Sequence, residues 1–273
     1  MQILEKKSNF SIEKVKIIFL SFMKELLRNK FTVFIMTALP VIIFSVIYYA
    51  TTTILMTFKV NSSTITVSMK DVHTVTGSLT AISLLAGIAG FYLAIGSRSI
   101  DRRLISTGYS SQLIVFVKLF ITVFFVIIGS IFLIILELIF RPPNNLVPFS
   151  LALIFTGIMY GLIGILVASL IPREFEGSLI ILTLSFLDTM FITNPMSPGT
   201  YNTAFSKLFP AYAPVQLVLN ASFISDNSKI PTLYIISFIY IFILMLFVGY
   251  FYWRSTKLYN KSSINQSIKE VLL

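Results

Sequence analysis

The densest group of charged residues lies in the segment SRSIDRRLISTGYSSQ, residues 97–112. Its notable members are Asp101, Arg102, Arg103, Leu104, Ile105 and Gly108. The charges alone fit a solvated loop, but a solvated loop does not explain the apolar pair placed directly after them. A short amphipathic helix that docks onto a partner protein explains both, because apolar burial supplies affinity and charges supply specificity. The glycine marks the expected end of that helix.

Two acidic residues interrupt apolar stretches of the chain, Glu137 and Asp188. A charged carboxylate at the centre of a bilayer costs on the order of 3 kcal/mol, so each is expected to face protein or water. Glu137 lies within one helical turn of Arg141, and an ion pair between them is the simplest explanation. Asp188 is a candidate for a transport pathway or an interface, and the alternative is that it caps a helix break before Asn194.

Most enzyme chemistry is excluded by the residues that are present. The chain has no cysteine and one histidine, His73, so neither thiol chemistry nor a multi-histidine metal site is expected. No H-E-x-x-H, G-x-S-x-G or G-x-x-x-x-G-K-[ST] motif occurs. We therefore expect no catalytic residue, no metal ligand and no bound nucleotide or other cofactor in this chain.

Apolar stretches occupy most of the sequence, which is 56% hydrophobic and 12% charged. Their approximate bounds are 33–50, 77–96, 113–140, 147–171, 178–192 and 233–253. A helix needs roughly 20 residues to cross the hydrocarbon core, and nearly all of these stretches reach that length. The sequence predicts an all-α membrane protein of one domain, residues 1–273, with six transmembrane helices.

The basic residues alternate between the two sides of these predicted helices. With a cytoplasmic N-terminus, sixteen of the 21 Lys and Arg residues fall inside and five outside. This is the asymmetry of the positive-inside rule, and it predicts that both termini are cytoplasmic. The net charge of +10 is thereby explained by topology, and no nucleic-acid partner is expected.

The segments that flank the predicted spans also carry patterns. Residues 11–30 predict an amphipathic helix in the inner headgroup layer, with Phe22 and Leu26 on its apolar face; packing against other protein is the alternative. Residues 51–76 read as a polar outer loop. Residues 194–231 predict short helices on the outer leaflet or re-entrant into it, because Pro195, Pro198, Pro210 and Pro214 interrupt the segment. This outer segment fits a gate over a pathway as well as it fits a surface loop.

Two patterns inside the spans favour helix packing and anchoring over chemistry. Gly157, Gly161 and Gly164 form a small-residue stripe, which allows neighbouring helices to approach closely. Tyr250, Tyr252 and Trp253 end the last span, where aromatic side chains favour the membrane interface.

The order of these elements resembles that of the membrane (permease) subunit of bacterial type-2 ABC exporters, in the branch that exports drugs, antibiotics and peptide toxins. The resemblance covers the whole chain as an architecture, and only residues 98–118 approach a sequence motif. Family members often open this loop with a Glu-Arg pair, for which Asp101-Arg102 stands here. A Gly-Tyr-Ser turn and Lys118 follow.

The resemblance implies a partner and a division of labour. Residues 98–112 would form a coupling helix in a groove of a separate ATPase subunit, and Arg173 and Glu174 would make a second, smaller contact. Two ATPases, which hold ATP and Mg, would act with two permeases, identical or sister chains. A hydrophobic or amphiphilic substrate would pass between the permeases in the bacterial cell membrane. The competing hypotheses are a secondary transporter or channel driven by an ion gradient, and a membrane anchor for another complex.

Overall fold

The structure is a computed structural model that describes residues 12–28, 30–60, 63–171, 173–193, 208–224 and 230–271. In these ranges the chain forms nine helices and one β-hairpin. The helices are α1 (Ile12–Arg28), α2 (Lys30–Ala50), α3 (Met69–Gly96), α4 (Arg98–Ser106), α5 (Ser111–Phe140), α6 (Leu146–Leu170), α7 (Glu174–Thr193), α8 (Tyr212–Phe223) and α9 (Ile230–Val271). The hairpin strands are β1 (Leu55–Val60) and β2 (Ser63–Ser68).

Four described helices are long and apolar enough to cross a membrane: α3, α5, α6 and α9 as far as Tyr252. This agrees with a mostly helical membrane protein. The remaining two predicted spans fall on α2 and α7. α2 is 21 residues long and contains Pro40, and α7 opens with Glu174 and Glu176; neither is among the four helices named above. The count of six spans therefore stays a prediction.

The centre of the bundle is the pair α3 and α6, which is the most extensive helix contact in the described structure. Glycines make this contact possible. A Cβ on Gly164 would lie 2.1 Å from the carbonyl oxygen of Gly87, and one on Gly90 would lie 2.3 Å from that of Gly161. The two backbones thus touch where only glycine fits, and the predicted packing role of the small-residue stripe is confirmed.

Helices α5 and α9 lie at the periphery and leave one apolar face each exposed. On α5 this face includes Phe116, Phe120 and Ile131, each about half exposed. On α9 it includes Phe238 and Phe242, which are 60% and 63% exposed. Large apolar faces of this kind are stable against hydrocarbon and unstable against water, so these are the surfaces that would meet lipid.

The hairpin was not predicted. Residues 51–76 were expected to form a polar loop, but β1 and β2 pair antiparallel with Leu55 opposite Ser68, and α3 begins at Met69 instead of near residue 77. β-branched residues dominate the second strand, STITVS, and such residues favour strands. The hydroxyls of Thr57 and Thr66 are 3.1 Å apart across the pair. We call this the hairpin end of the bundle and the opposite one the α4 end.

Helix α8 is the described part of the predicted outer segment, of which residues 194–207 and 225–229 lie outside the described ranges. It is not a surface helix, because every residue from Tyr212 to Ser222 is buried. Near its beginning, the amide of Ala211 bonds Asp188 of α7, and near its end the carbonyl of Ala221 accepts from the amide of Asn145. It therefore runs inside the bundle up to the α5–α6 turn at the hairpin end.

Helix α1 packs against the α4 end of the bundle, and its predicted helical range is confirmed within two residues. Its buried face centres on Ile18, Phe22 and Leu26, against α3 and α5. A second apolar stripe, including Ile17 and Leu20, is more than half exposed. One face of α1 thus packs against the rest of the protein, and a second apolar face is exposed.

Candidate functional site

The segment predicted as a coupling helix does form a helix, α4, with a defined end. The hydroxyl of Thr107 donates to the carbonyl of Arg103 at 3.0 Å, and the amide of Gly108 bonds the carbonyl of Ile105. Gly108 has a φ of +89°, a conformation that L side chains rarely adopt. The expectation that this glycine ends the helix is confirmed, and the chain turns there to enter α5.

A buried ion pair fastens α4 to the bundle. The Nζ atom of Lys118, on α5, lies 2.5 Å from Oδ2 of Asp101, and the hydroxyl of Tyr252, on α9, donates to the same oxygen at 2.9 Å. Lys118 is fully buried and Asp101 is 7% exposed. We call Asp101, Lys118 and Tyr252 the anchor. The carboxylate of Asp101 therefore ties α4 to two long helices, through residues that lie 17 and 151 positions away in sequence.

The surroundings of Lys118 suit a buried cation. Its Nζ lies 5.2 Å from the ring centroids of both Phe22 and Tyr252, within the range of a cation–π contact. Removal of one partner from a buried ion pair costs about 3–5 kcal/mol, because the other charge stays buried without compensation. The anchor is thus a strong restraint on the position of α4.

A second contact joins α4 to α6. The Nη2 atom of Arg98 donates to the carbonyl of Ala168 at 2.5 Å, in the last turn of α6, where carbonyls lack helical partners. Partial burial lowers the pKa of Arg98 from its ordinary value, helped by Arg102 and opposed by Asp101. Arginine nevertheless stays protonated at neutral pH, so the contact is charge-assisted.

The opposite side of α4 is open to solvent. Arg102 and Arg103 are exposed. Leu104 and Ile105 are half-buried, because they pack partly against the apolar cluster between α1 and α5. The sequence predicts that all four meet a partner protein. In this structure the two arginines are exposed, whereas Leu104 and Ile105 are partly covered by the chain and partly open to solvent.

The second predicted contact, Arg173 and Glu174, lies at the start of α7. Both residues are exposed, and Arg173 pairs with Glu176 at 2.6 Å. Glu174 also lines a small cavity of about 40 Å³ together with Ser97, the residue before α4. The fold therefore brings this segment to the α4 end, beside the beginning of α4.

Asp188 lies inside the bundle and holds the beginning of α8. Its Oδ2 atom accepts hydrogen bonds from the hydroxyl of Tyr160 at 2.6 Å and from the amide of Ala211 at 3.1 Å. The residue is 3% exposed, and its Oδ1 atom has no hydrogen-bond partner. A cap on a helix break before Asn194 is one prediction from the sequence; the observed bond is made to the start of α8 instead.

Glu137 is buried and does not form the expected ion pair with Arg141. Its Oε1 atom accepts a hydrogen bond from the hydroxyl of Ser78 on α3. Arg141 pairs instead with Asp71, at 3.3 Å, and its guanidinium lies 4.2 Å from the ring centroid of Phe223. The reason is geometric: Glu137 faces α3 within the bundle, whereas Arg141 follows the end of α5 and reaches across the hairpin end.

Several residues of the site were missed or misassigned. Tyr252 was expected to lie at the membrane–water interface, but it is 8% exposed and its hydroxyl bonds Asp101. Tyr160 carried no sequence signal at all. Lys118 offered one, since a lysine within an apolar helix requires a partner. Among the described residues, no group of three His, Cys, Asp or Glu side chains is placed to hold a metal ion.

Comparison of the sequence with models of known protein families finds no match, and comparison with curated proteins finds none either. Any function must therefore be argued from the chain itself.

Proposed function

We propose that this protein is the permease subunit of an ATP-driven exporter of the ABC type. The observation that carries the proposal is the position of α4. It is a short helix between two membrane-length helices, tied to α5 and α9 by Asp101 and to α6 by Arg98, with arginines on its exposed side. A helix held in this way can pass a displacement at its outer surface to three helices of the bundle.

The partner in this proposal is a separate ATPase subunit, present in two copies, which holds ATP and Mg. Arg102 and Arg103 would meet an acidic rim of that subunit, and Arg173 and Glu174 would add a contact beside the start of α4. Two permeases, identical or sister chains, would enclose the path. The substrate would be a hydrophobic or amphiphilic drug, antimicrobial peptide or toxin.

The proposal includes six spans, with α2 and α7 as the two beyond the four described above. Both termini and the α4 end would be cytoplasmic, in the cell membrane of a bacterium, and the hairpin and α8 would lie at the outer side. The excess of basic residues on one side supports this orientation. Helix α1 would lie in the inner headgroup layer, with Ile17 and Leu20 towards the acyl chains.

A pair of charge reversals tests the proposal. Arg102→Glu with Arg103→Glu reverses the exposed charge of α4, and Lys16→Glu with Lys24→Glu makes the same change on exposed positions of α1. Each complex is solubilised from its own host, and its content of nucleotide-binding subunit and its ATP hydrolysis are measured. We expect the α4 variant to lose most of the co-purifying ATPase and the α1 variant to keep it. Equal behaviour of the two variants would refute the docking role of α4.

A second candidate, transport driven by an ion gradient, is favoured by the two buried acids. Glu137 is fully buried and Asp188 is 3% exposed, and each has one carboxylate oxygen without a partner. Such acids mark proton or ion pathways in many transporters. Uptake into vesicles without ATP but with an imposed pH gradient separates the two candidates, because only the second predicts transport there.

A further inference from the structure

A groove lies between the beginning of α5 and the late part of α9, at the α4 end. It encloses about 460 Å³. Its lining residues are Ser111, Gln112, Val115, Phe116, Leu119, Gly249, Tyr250 and Tyr252. This volume is within the range of small-ligand sites, roughly 300–1,000 Å³. Apart from Tyr252, whose hydroxyl bonds Asp101, its lining residues take no part in the proposed docking of α4.

The groove is apolar over most of its length and joins the membrane-facing surface. Phe116 is 50% exposed and Tyr250 is 54% exposed, so its walls continue into the exposed apolar faces of α5 and α9. A Cβ on Gly249 would meet no atom within 4 Å, so the space beside this glycine is empty. An acyl chain fits these conditions, because it enters from hydrocarbon without desolvating a polar group.

The groove has two polar lining residues on α5, and an arginine lies one helical turn beyond it on α9. Ser111 and Gln112 form the first turn of α5, where backbone amides and the helix dipole favour an anion. On α9, Arg254 is exposed and lies one helical turn beyond Tyr250, on the same face. We propose that this groove binds an anionic phospholipid, with its acyl chain along Leu119 and its headgroup beside Arg254.

Occupancy of the groove would also act on the anchor. Tyr252 is a wall residue of the groove, and its hydroxyl is a donor to Asp101 at 2.9 Å. A lipid packed against Tyr252 restrains the side chain that links α9 to α4. This inference concerns lipid binding by the chain itself and stands whether or not an ATPase docks on α4.

The test uses the full chain in bilayers and the fluorescence of a tryptophan introduced by Phe116→Trp in the wall of the groove, with the only native tryptophan removed by Trp253→Phe. Brominated phosphatidylglycerol or brominated phosphatidylcholine is titrated into unbrominated phosphatidylcholine, and quenching gives the relative affinity of each lipid for the site. One basic residue at a membrane surface favours an anionic lipid by about fivefold, and we expect phosphatidylglycerol to be preferred by at least that factor.

Three variants make the result specific. Gly249→Phe fills the groove and is expected to abolish the preference for phosphatidylglycerol. Arg254→Gln leaves the groove open and is expected to bring the two lipids to equal affinity. Ile243→Phe adds a ring to another exposed position of α9 and is expected to change nothing. Thermal unfolding of each variant is recorded, and if Gly249→Phe does not fold, Arg254→Gln decides.

Equal quenching by the two lipids, in the tryptophan-bearing chain with none of these three variants, would overturn the proposal, since it would indicate unselective boundary lipid. An unchanged preference in a folded Gly249→Phe variant, or in Arg254→Gln, would overturn it as well.

Discussion

Lys118 and Asp101 are seventeen positions apart in sequence and form a buried ion pair, with 2.5 Å between Nζ and Oδ2. The pair joins a helix of membrane length to a short helix at the α4 end of the bundle. Tyr252 completes it from α9. A shift of the short helix would leave buried charges without compensation, so the carboxylate restrains its position. The first two predictions follow from this.

Loss of one charge of the anchor is predicted to be worse than loss of both. Lys118→Met leaves the carboxylate of Asp101 buried without a cation and should cost about 3–5 kcal/mol of stability. Lys118→Met combined with Asp101→Leu removes both charges and should recover a large part of that loss. Thermal unfolding in detergent ranks the stabilities of the unaltered chain, the single variant and the double variant. A double variant less stable than Lys118→Met would contradict the ion-pair account.

Tyr252→Phe is predicted to loosen α4 while leaving the fold intact. It removes a single hydrogen bond to a charged group, with a typical contribution of about 1.5–3 kcal/mol, and keeps the aromatic ring. A cysteine introduced at Ser106, on the exposed side of α4, should then react faster with a thiol reagent in membranes than the same cysteine does in the chain that keeps Tyr252. The same comparison with Tyr250→Phe, at an exposed tyrosine, serves as the control and should show no change. If both substitutions alter the rate equally, the hydroxyl of Tyr252 has no special role.

Glycine substitutions are predicted to separate close packing from helix propensity. Gly164→Ala places a methyl group 2.1 Å from the carbonyl oxygen of Gly87 and should destabilise the α3–α6 contact by about 1–3 kcal/mol. Gly249→Ala meets no atom within 4 Å and should be neutral or stabilising, since alanine favours a helix over glycine by up to about 1 kcal/mol. Unfolding temperatures of the two variants test this. A similar decrease in both variants would contradict a close approach of α3 and α6 at Gly164.

The topology is predicted to place the two ends of the bundle on opposite sides of the membrane. The chain has no native cysteine, so single cysteines at Thr57 in the hairpin and at Ser106 in α4 can be labelled without background. An impermeant reagent on intact cells should label the first and spare the second until the cells are broken. Labelling of both in intact cells would exclude the proposed orientation.

The helices could be predicted from the sequence because their apolar stretches are long and continuous, and the stop at Gly108 because its conformation is a local property. The hairpin was missed because the polar, Thr- and Ser-rich composition of residues 51–76 favoured a loop, although short alternating patterns are present in MTFKV and TITVS. The anchor could not be deduced in full: the burial of Lys118 demands a partner, but nothing local identifies Asp101, and Tyr252 joins only when α9 packs against α5. The pairing of Arg141 with Asp71 similarly depends on the fold, since the nearer acid, Glu137, is turned into the bundle.

The proposed function depends on docking of the exposed side of α4 onto an ATPase. The most direct measurement replaces Arg103 with a photo-crosslinking amino acid in the native host, with Thr57 replaced in the same way as control. Each adduct is identified by mass spectrometry. Position 103 is expected to capture a protein that contains a G-x-x-x-x-G-K-[ST] phosphate loop, and position 57 is not. Absence of such a protein from the adduct at position 103, when cross-linking is otherwise efficient, would contradict this docking.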